Sequence, residues 1–230
     1  MKKQVLLTAA VLSATSMMAQ KLTYPQAPKD GTVDTYFGVQ VADPYRPLEN
    51  DSSKATAEWV AAENKVTQEY LSRIPFRGKL LKRMKELANY EKVSAPSYIK
   101  SIGKWLFYKN DGLQNQSVLY MMDRLGDEKN ARVLLNPNQL STDGTVALKG
   151  IYFSHNGKYA AYSISRSGSD WQEFYVIDLK PRQLLDDHIQ WAKFSGAAWY
   201  KDGFFYSAYD KPEEGRALSG KNATHKIYYH

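Results

Sequence analysis

The sequence predicts a mostly β fold in which an N-terminal arm and two helices precede the first blades of a β-propeller. Three observations predict it. Aromatic residues, which favour strands, make up 13% of the chain. From about Val93, short strands rich in aromatic residues alternate with turns. Three of these segments resemble one another, which indicates a repeat architecture.

Each repeated segment has an aromatic residue, then a turn with glycine, then an aromatic strand. The segments are residues 98–108, 153–162 and 199–206. Asn156-Gly157 and Asp202-Gly203 favour hairpins, because glycine tolerates the positive φ that tight turns need. The glycines at 103, 157 and 203 lie 54 and 46 residues apart, close to a blade length of about 40–50 residues. Residues 93–230 therefore hold about three blades of a partial propeller.

A ring is not complete with three blades, since propellers close with about 4 to 8. An open propeller leaves strand edges and apolar faces uncovered. We therefore expect more chain, or a partner, to complete the fold.

Residues 1–19 have the order of a secretory signal peptide. Lys2 and Lys3 give a positive start, residues 5–12 are apolar except for Thr8, and small or polar residues lead to Ala19. This pattern predicts cleavage after Ala19 and export to the periplasm or the medium, with no membrane association after cleavage.

Residues 20–92 hold the arm and the helices. Prolines at 25, 44 and 47 favour extended backbone before them, so we expect an extended arm lying on another part of the protein. Asp51 or Ser52 can cap a first helix that ends before Pro75. Helical spacing relates Trp59, Ala62, Val66, Tyr70 and Ile74 in that helix, and Leu80, Met84 and Leu87 in a second.

The composition excludes several kinds of site. The chain has no cysteine, and its four histidines show no zinc-hydrolase spacing. P-loop, EF-hand and dinucleotide motifs are also missing, so no metal or cofactor is expected. The net charge is +7, but the basic residues are scattered among 24 acidic ones. A nucleic acid partner is therefore not expected.

The chain itself shows no sequence motif of a serine hydrolase. No G-x-S-x-G elbow occurs, and Gly168-Ser169 falls in a predicted hairpin rather than at a strand-to-helix turn. His155 is interpreted as a surface turn residue. His188 follows Asp186-Asp187, which leaves an Asp–His pair possible, although a solvated loop is favoured.

Several segments together resemble the N-terminal portion of the prolyl oligopeptidase, or prolyl endopeptidase, family. They are Tyr24-Pro25 and residues 41–49 (VADPYRPLE), 63–67 (ENKVT), 112–120 (GLQNQSVLY), 143–148 (DGTVAL), 167–171 (SGSDW), 193–195 (KFS), 203–206 (GFFY) and 226–230 (KIYYH). The sequence departs from the family pattern at residues 213–220, where a Gly-Thr-Glu-rich segment is usual. This departure leaves the role of that loop open.

The resemblance implies a two-domain serine peptidase that cleaves short peptides on the carboxyl side of proline. The arm and helices would pack on an absent C-terminal α/β-hydrolase domain. The blades would be the first of a seven-bladed propeller that restricts entry to short peptides. The family's catalytic Ser, His and Asp lie beyond His230, so this chain alone is expected to be inactive.

One substrate-binding residue is implied by the resemblance. Phe194, in the K-F-S motif, matches a phenylalanine that lines the family's apolar S3 subsite; an ordinary core aromatic in a blade is the alternative. The amides of residues 112–116 are interpreted as structural, tying backbone groups together.

Two other functions stay open. The chain could be a non-catalytic propeller fragment that binds peptides or serves as a structural module. It could also belong to a sister propeller peptidase, such as oligopeptidase B or a dipeptidyl peptidase. The strings at 112–116 and 168–171 favour prolyl specificity over the sister families.

Overall fold

A computed structural model describes residues 22–230. The predicted signal peptide, residues 1–19, lies outside the described residues. The described chain divides into two compact units. One holds residues 22–48 and 52–73, and the other holds residues 49–51 and 74–230.

The arm of the first unit contains a β-hairpin, a reversal of the chain that was not predicted. That the arm lies on another part of the protein stays a prediction. Strands β1 (Val33–Tyr36) and β2 (Val39–Ala42) pair across a turn at Phe37 and Gly38, both with positive φ. Glycine at the second turn position matches the turn that tight hairpins favour. Beyond the hairpin, Arg46 pairs with the carboxylates of Asp34 and Asp43.

Helix α1 spans Lys54–Ser72 and begins at a serine cap. The cap is Ser53, not Asp51 or Ser52 as predicted, because the Ser53 side chain accepts a hydrogen bond from Thr56 N at 3.1 Å. The helix ends before Pro75, as predicted, and Ile74 lies beyond it. None of its side chains is buried.

Helix α2 spans Arg77–Ala88 and lies in the second unit. Its predicted apolar residues Leu80, Met84 and Leu87 are all more than half exposed. Contacts thus group α2 with the sheets and α1 with the arm. The domain boundary at residue 93 stays a prediction. Among residues 22–230, no helix is long and apolar enough to cross a membrane.

The second unit is built from three antiparallel meanders. The first contains β4 (Ser97–Ile99), β5 (Lys104–Asn110), β6 (Val118–Met122) and β7 (Arg132–Leu135), with β3 (Lys92–Val93) also paired to β5. The second contains β8 (Val146–Phe153), β9 (Tyr159–Arg166), β10 (Trp171–Asp178) and β11 (Gln183–Lys193). The third contains β12 (Ala198–Tyr200), β13 (Gly203–Ala208) and β14 (Lys226–Tyr229). It shares one seven-stranded sheet with the second, because β13 pairs with β11 at Ala208 and Ala192. The three meanders confirm the predicted partial propeller.

The core lies between successive meanders. Phe174 and Val176 of the second meander pack against Phe204 of the third, and both phenylalanines are almost fully buried. Leu106 and Leu119 of the first meander pack against side chains of β8. Each meander thus packs apolar side chains against the next, as propeller blades do.

The two predicted hairpin turns differ in how they use glycine. Gly157 has φ +69° between β8 and β9, as the Asn-Gly pattern predicts. At the β12–β13 turn the positive φ belongs to Lys201 instead, so the expected role of Gly203 was wrong. Gly203 is required by close approach, since a Cβ there would meet the His230 carbonyl oxygen at 2.1 Å.

Candidate functional site

The structure places Phe194 on the loop between β11 and β12. Its backbone has φ +51°, a conformation that bulky residues rarely adopt. Its side chain is 72% exposed, so it is not a core aromatic of the second meander. An exposed aromatic side chain on a strained backbone is the kind of feature that marks binding sites.

The hydroxyl of Ser195 fixes the loop just after Phe194. Ser195 Oγ donates to the Gly196 carbonyl at 2.8 Å and accepts from the backbone N–H of Ser207 at 2.8 Å. Ser207 lies on β13. The side chain thus takes the place of a backbone partner and ties the loop to the third meander.

A hollow of about 440 Å³ opens beside Phe194. Tyr152, Phe205 and Ile227 give it apolar walls, and Ile227 is largely exposed. The Tyr152 ring passes so close to Gly196 that a Cβ there would lie 3.1 Å from it. An apolar hollow with an exposed aromatic ring at its side suits an apolar side chain of a peptide.

A second aromatic group lies where β10 and β11 pair. Trp171 meets Trp191 edge-on at 5.5 Å between centroids, and Lys193 Nζ lies 4.6 Å from the centre of the Trp171 ring. Trp191 itself has φ +61°, within a register shift of β11 against β10. Bulges of this kind redirect side chains and are frequent beside functional sites.

The divergent segment at 213–220 belongs to the long loop between β13 and β14. Trp171 Nε1 donates to the Ala217 carbonyl at 2.7 Å, which holds the loop at its middle. At its base, Tyr209 stacks on His225 with centroids 4.5 Å apart. The loop therefore has a defined anchor despite its departure from the family pattern.

The histidines and Ser169 occupy structural positions. His155 Nε2 lies 2.9 Å from the Trp199 carbonyl, and Ser169 Oγ accepts from Trp171 N in the predicted hairpin. His188 lies on β11, so the favoured loop was wrong, and it contacts Glu173 at 2.9 Å rather than an aspartate. Asp187 pairs instead with His230 at 2.6 Å, a contact that the sequence reasoning missed.

Side-chain amides near the start of the propeller bond backbone groups. Within residues 112–116, as interpreted, the Gln114 side chain accepts from Asp111 N and the Gln116 side chain donates to a backbone carbonyl. Asn138 Nδ2 donates to the Gln116 carbonyl at 2.9 Å, and Asn138 Oδ1 accepts from Gln116 N at 2.9 Å. Gln116 Nε2 reaches the Gly144 carbonyl. Among residues 22–230, no group of three or more metal-ligating side chains is found.

Comparison with known proteins decides the family. Residues 25–230 match the family described as the prolyl oligopeptidase, N-terminal beta-propeller domain. The chain belongs to the prolyl oligopeptidase family. The departure at 213–220 does not alter this membership.

Curated relatives in this family include a prolyl endopeptidase from Elizabethkingia miricola. It is 46% identical over 223 residues, which are 96% of this chain and 31% of that protein. A prolyl endopeptidase from Dictyostelium discoideum is 30% identical over 91% of this chain and 34% of its own length. The chain thus spans about a third of the length of these relatives.

Solved structures of the prolyl oligopeptidase family agree with the fold. Prolyl oligopeptidase B from Galerina marginata, bound to a 25mer macrocyclization substrate, matches with a TM-score of 0.68 and 32% identity. The match covers 90% of this chain and 32% of that one. A structure from a study of two prolyl endopeptidases matches with a TM-score of 0.71, over 90% of this chain and 30% of that chain, at 32% identity.

Proposed function

We propose that this chain is the N-terminal part of a serine-type prolyl endopeptidase that cleaves short peptides on the carboxyl side of proline. The observation that carries the proposal is the 46% identity to a prolyl endopeptidase over almost the whole chain. The propeller would restrict access to the active site, and short proline-containing peptides would be the substrates.

The proposal assigns catalysis to a C-terminal α/β-hydrolase domain. There, a serine attacks the carbonyl of the proline, a histidine transfers the proton and an aspartate orients the histidine. The exposure of helices α1 and α2 supports a C-terminal domain that packs on them. Neither α1 nor α2 buries a side chain among the described residues, and an amphipathic helix gains most of its stability from packing its apolar face.

Phe194 is the residue that we propose contacts the substrate. Its exposed ring and the neighbouring apolar hollow would receive the side chain three residues before the cleaved bond. Removing an apolar side chain from water contributes about 1.5–3 kcal/mol when burial is complete. The contact would therefore favour apolar residues at that position.

We also propose that the protein is exported to the periplasm or the medium. The order of charged, apolar and small residues in positions 1–19 supports export. Extracytoplasmic peptides would then be the natural substrates.

The test uses the protein as its source makes it. An antibody against residues 93–230 captures it, and hydrolysis of acetyl-Phe-Gly-Pro-aminomethylcoumarin is measured beside the same peptide with alanine for proline. We expect hydrolysis of the proline peptide only, lost after treatment with a serine-directed fluorophosphonate. The chain 20–230 expressed alone should show none. Capture of a protein that binds the peptide without cleaving it would instead support the non-catalytic propeller module.

A further inference from the structure

We propose that Ser195 is a positioning residue that holds Phe194 in its substrate-facing conformation. This inference rests on the proposed function, because it concerns the same subsite. Ser195 fixes the backbone of the subsite, whereas Phe194 lines it.

The backbone conformation of Phe194 needs a neighbouring group that holds it in place. A bulky residue at φ +51° is less stable than in the usual regions of backbone conformation, and persists only where its surroundings hold it. Phe194 is 72% exposed, so its own packing supplies little of that restraint. The next residue supplies it, since Ser195 Oγ makes two hydrogen bonds of 2.8 Å, one of them to β13.

The first meander contains the same hydrogen-bonding arrangement. Ser94 Oγ donates to the Ala95 carbonyl at 3.3 Å and accepts from the backbone N–H of Tyr108 at 2.9 Å. Ser94 and Ser195 each lie three residues before the first strand of their meander, β4 and β12. Tyr108 and Ser207 are each the fifth residue of the strand that follows, β5 and β13. The two serines therefore occupy equivalent positions in the repeat.

The arrangements at Ser94 and Ser195 differ in the residue that precedes the serine. Val93 precedes Ser94 as the last residue of strand β3, where it pairs with Lys109. Phe194 precedes Ser195 outside any strand, with positive φ. The repeat thus uses one serine arrangement twice, and only in the third meander does it present an exposed aromatic ring. Ser94 is consequently a matched control for Ser195.

The test compares Ser195→Ala with Ser94→Ala in the complete, full-length protein. Two substrates are used, acetyl-Gly-Pro-aminomethylcoumarin and acetyl-Phe-Gly-Pro-aminomethylcoumarin. We expect Ser195→Ala to raise KM for the longer peptide about two- to tenfold, the factor for losing one net hydrogen bond. The kcat for both peptides and the KM for the shorter one should stay within about twofold. Ser94→Ala should leave the KM ratio of the two peptides unchanged.

Repeating the Ser195 substitution in a protein that already carries Phe194→Ala shows whether Ser195 acts through Phe194. In the Phe194→Ala protein, adding Ser195→Ala should not change the KM ratio further, because the ring it positions is gone. Ser195→Thr keeps the hydroxyl and should restore the ratio. If Ser195→Ala does not fold, Ser195→Cys, which is a weak hydrogen-bond donor of similar size, is expected to shift the ratio in the same direction.

Three results would overturn the inference. They are an equal KM change for both peptides, an effect of Ser94→Ala on the KM ratio, and an effect of Ser195→Ala that persists without the Phe194 ring. A full-length protein that cleaves neither peptide would contradict the proposed function itself. Failure of the inference and failure of the proposed function therefore give different results.

Discussion

Arg166 Nε on β9 lies 2.7 Å from Glu173 Oε1 on β10, and this ion pair is the centre of a polar cluster on the second meander. Tyr175 and His188 also donate to the carboxylate, at 2.7 and 2.9 Å. Burial raises the pKa of Glu173, but hydrogen bonds from Arg166, Tyr175 and His188 outweigh it and lower that pKa from 4.5 to about 2.

The first prediction concerns Glu173→Gln and pH. Because folding lowers the pKa of Glu173, its charged form stabilises the protein above pH 4.5, and this contribution is lost as pH falls towards about 2. We expect Glu173→Gln to lower the free energy of unfolding by about 1–2 kcal/mol at pH 7. The difference from wild type should shrink between pH 4.5 and 2.

Urea unfolding at several pH values measures this difference. Glu58→Gln is the control, since Glu58 forms an exposed ion pair with Lys54 at 3.5 Å, and such pairs contribute about 0–1 kcal/mol. A Glu173→Gln difference that stays constant from pH 7 to 2.5 would contradict the assigned pKa.

The second prediction compares two glycines with similar backbone. Gly157 has φ +69° and Gly168 has φ +74°. A Cβ at Gly157 would lie 2.3 Å from the Ser101 carbonyl oxygen, whereas nothing lies within 4 Å at Gly168. Both alanine variants bear the backbone strain of about 1–2 kcal/mol, and Gly157→Ala adds a collision with the first meander.

We therefore expect Gly157→Ala to be less stable than Gly168→Ala by at least about 1 kcal/mol. The midpoint of urea unfolding, at an unchanged m-value, gives the comparison. Equal midpoints would mean that the turn at residues 100–103 moves freely away from Gly157.

The third prediction tests strain at Phe194. Glycine adopts positive φ without steric cost, so Phe194→Gly should be more stable than Phe194→Ala by about 0.5–1 kcal/mol. At Leu184, a half-exposed residue inside β11, the order should reverse, because glycine weakens a strand. Thermal unfolding of the four variants measures both orders. If the alanine variant is more stable than the glycine variant at both positions, the backbone of Phe194 is not strained.

The fourth prediction concerns selectivity for peptide length. In the full-length protein, Phe194→Ala should raise KM for acetyl-Phe-Gly-Pro-aminomethylcoumarin by about tenfold, the factor for losing part of one apolar contact. The KM for acetyl-Gly-Pro-aminomethylcoumarin should change less, since that peptide has no side chain at the third position before the cleaved bond. Equal changes for both peptides would exclude Phe194 from the proposed subsite.

The sequence predicted the propeller because its signal is local and repeated. Gly157 and the aromatic strands around it mark a hairpin by residue type alone, and the spacing of the repeats then indicates blades. The hairpin at Phe37 was missed, since the prolines around it suggested extended backbone. His188 was expected in a loop because adjacent residues on an extended chain point apart, which disfavoured a pair with Asp187; it lies on β11 instead.

Sequence patterns could not predict the hydrogen bonds that hold the loop around Phe194. Ser195 binds a backbone N–H on β13, and any residue other than proline could supply that group. Only the register of the strands shows which residue does. The contact between Asp187 and His230 was missed for the same reason, since it joins residues of different meanders at 2.6 Å.

The measurement that tests the central claim most directly is the intact mass of the protein captured from its source with an antibody against residues 93–230. The proposal predicts a mass about three times the 26.2 kDa of this chain, since the chain covers 31% of the E. miricola relative. A mass that matches residues 20–230 alone would contradict the peptidase proposal and favour a binding or structural module.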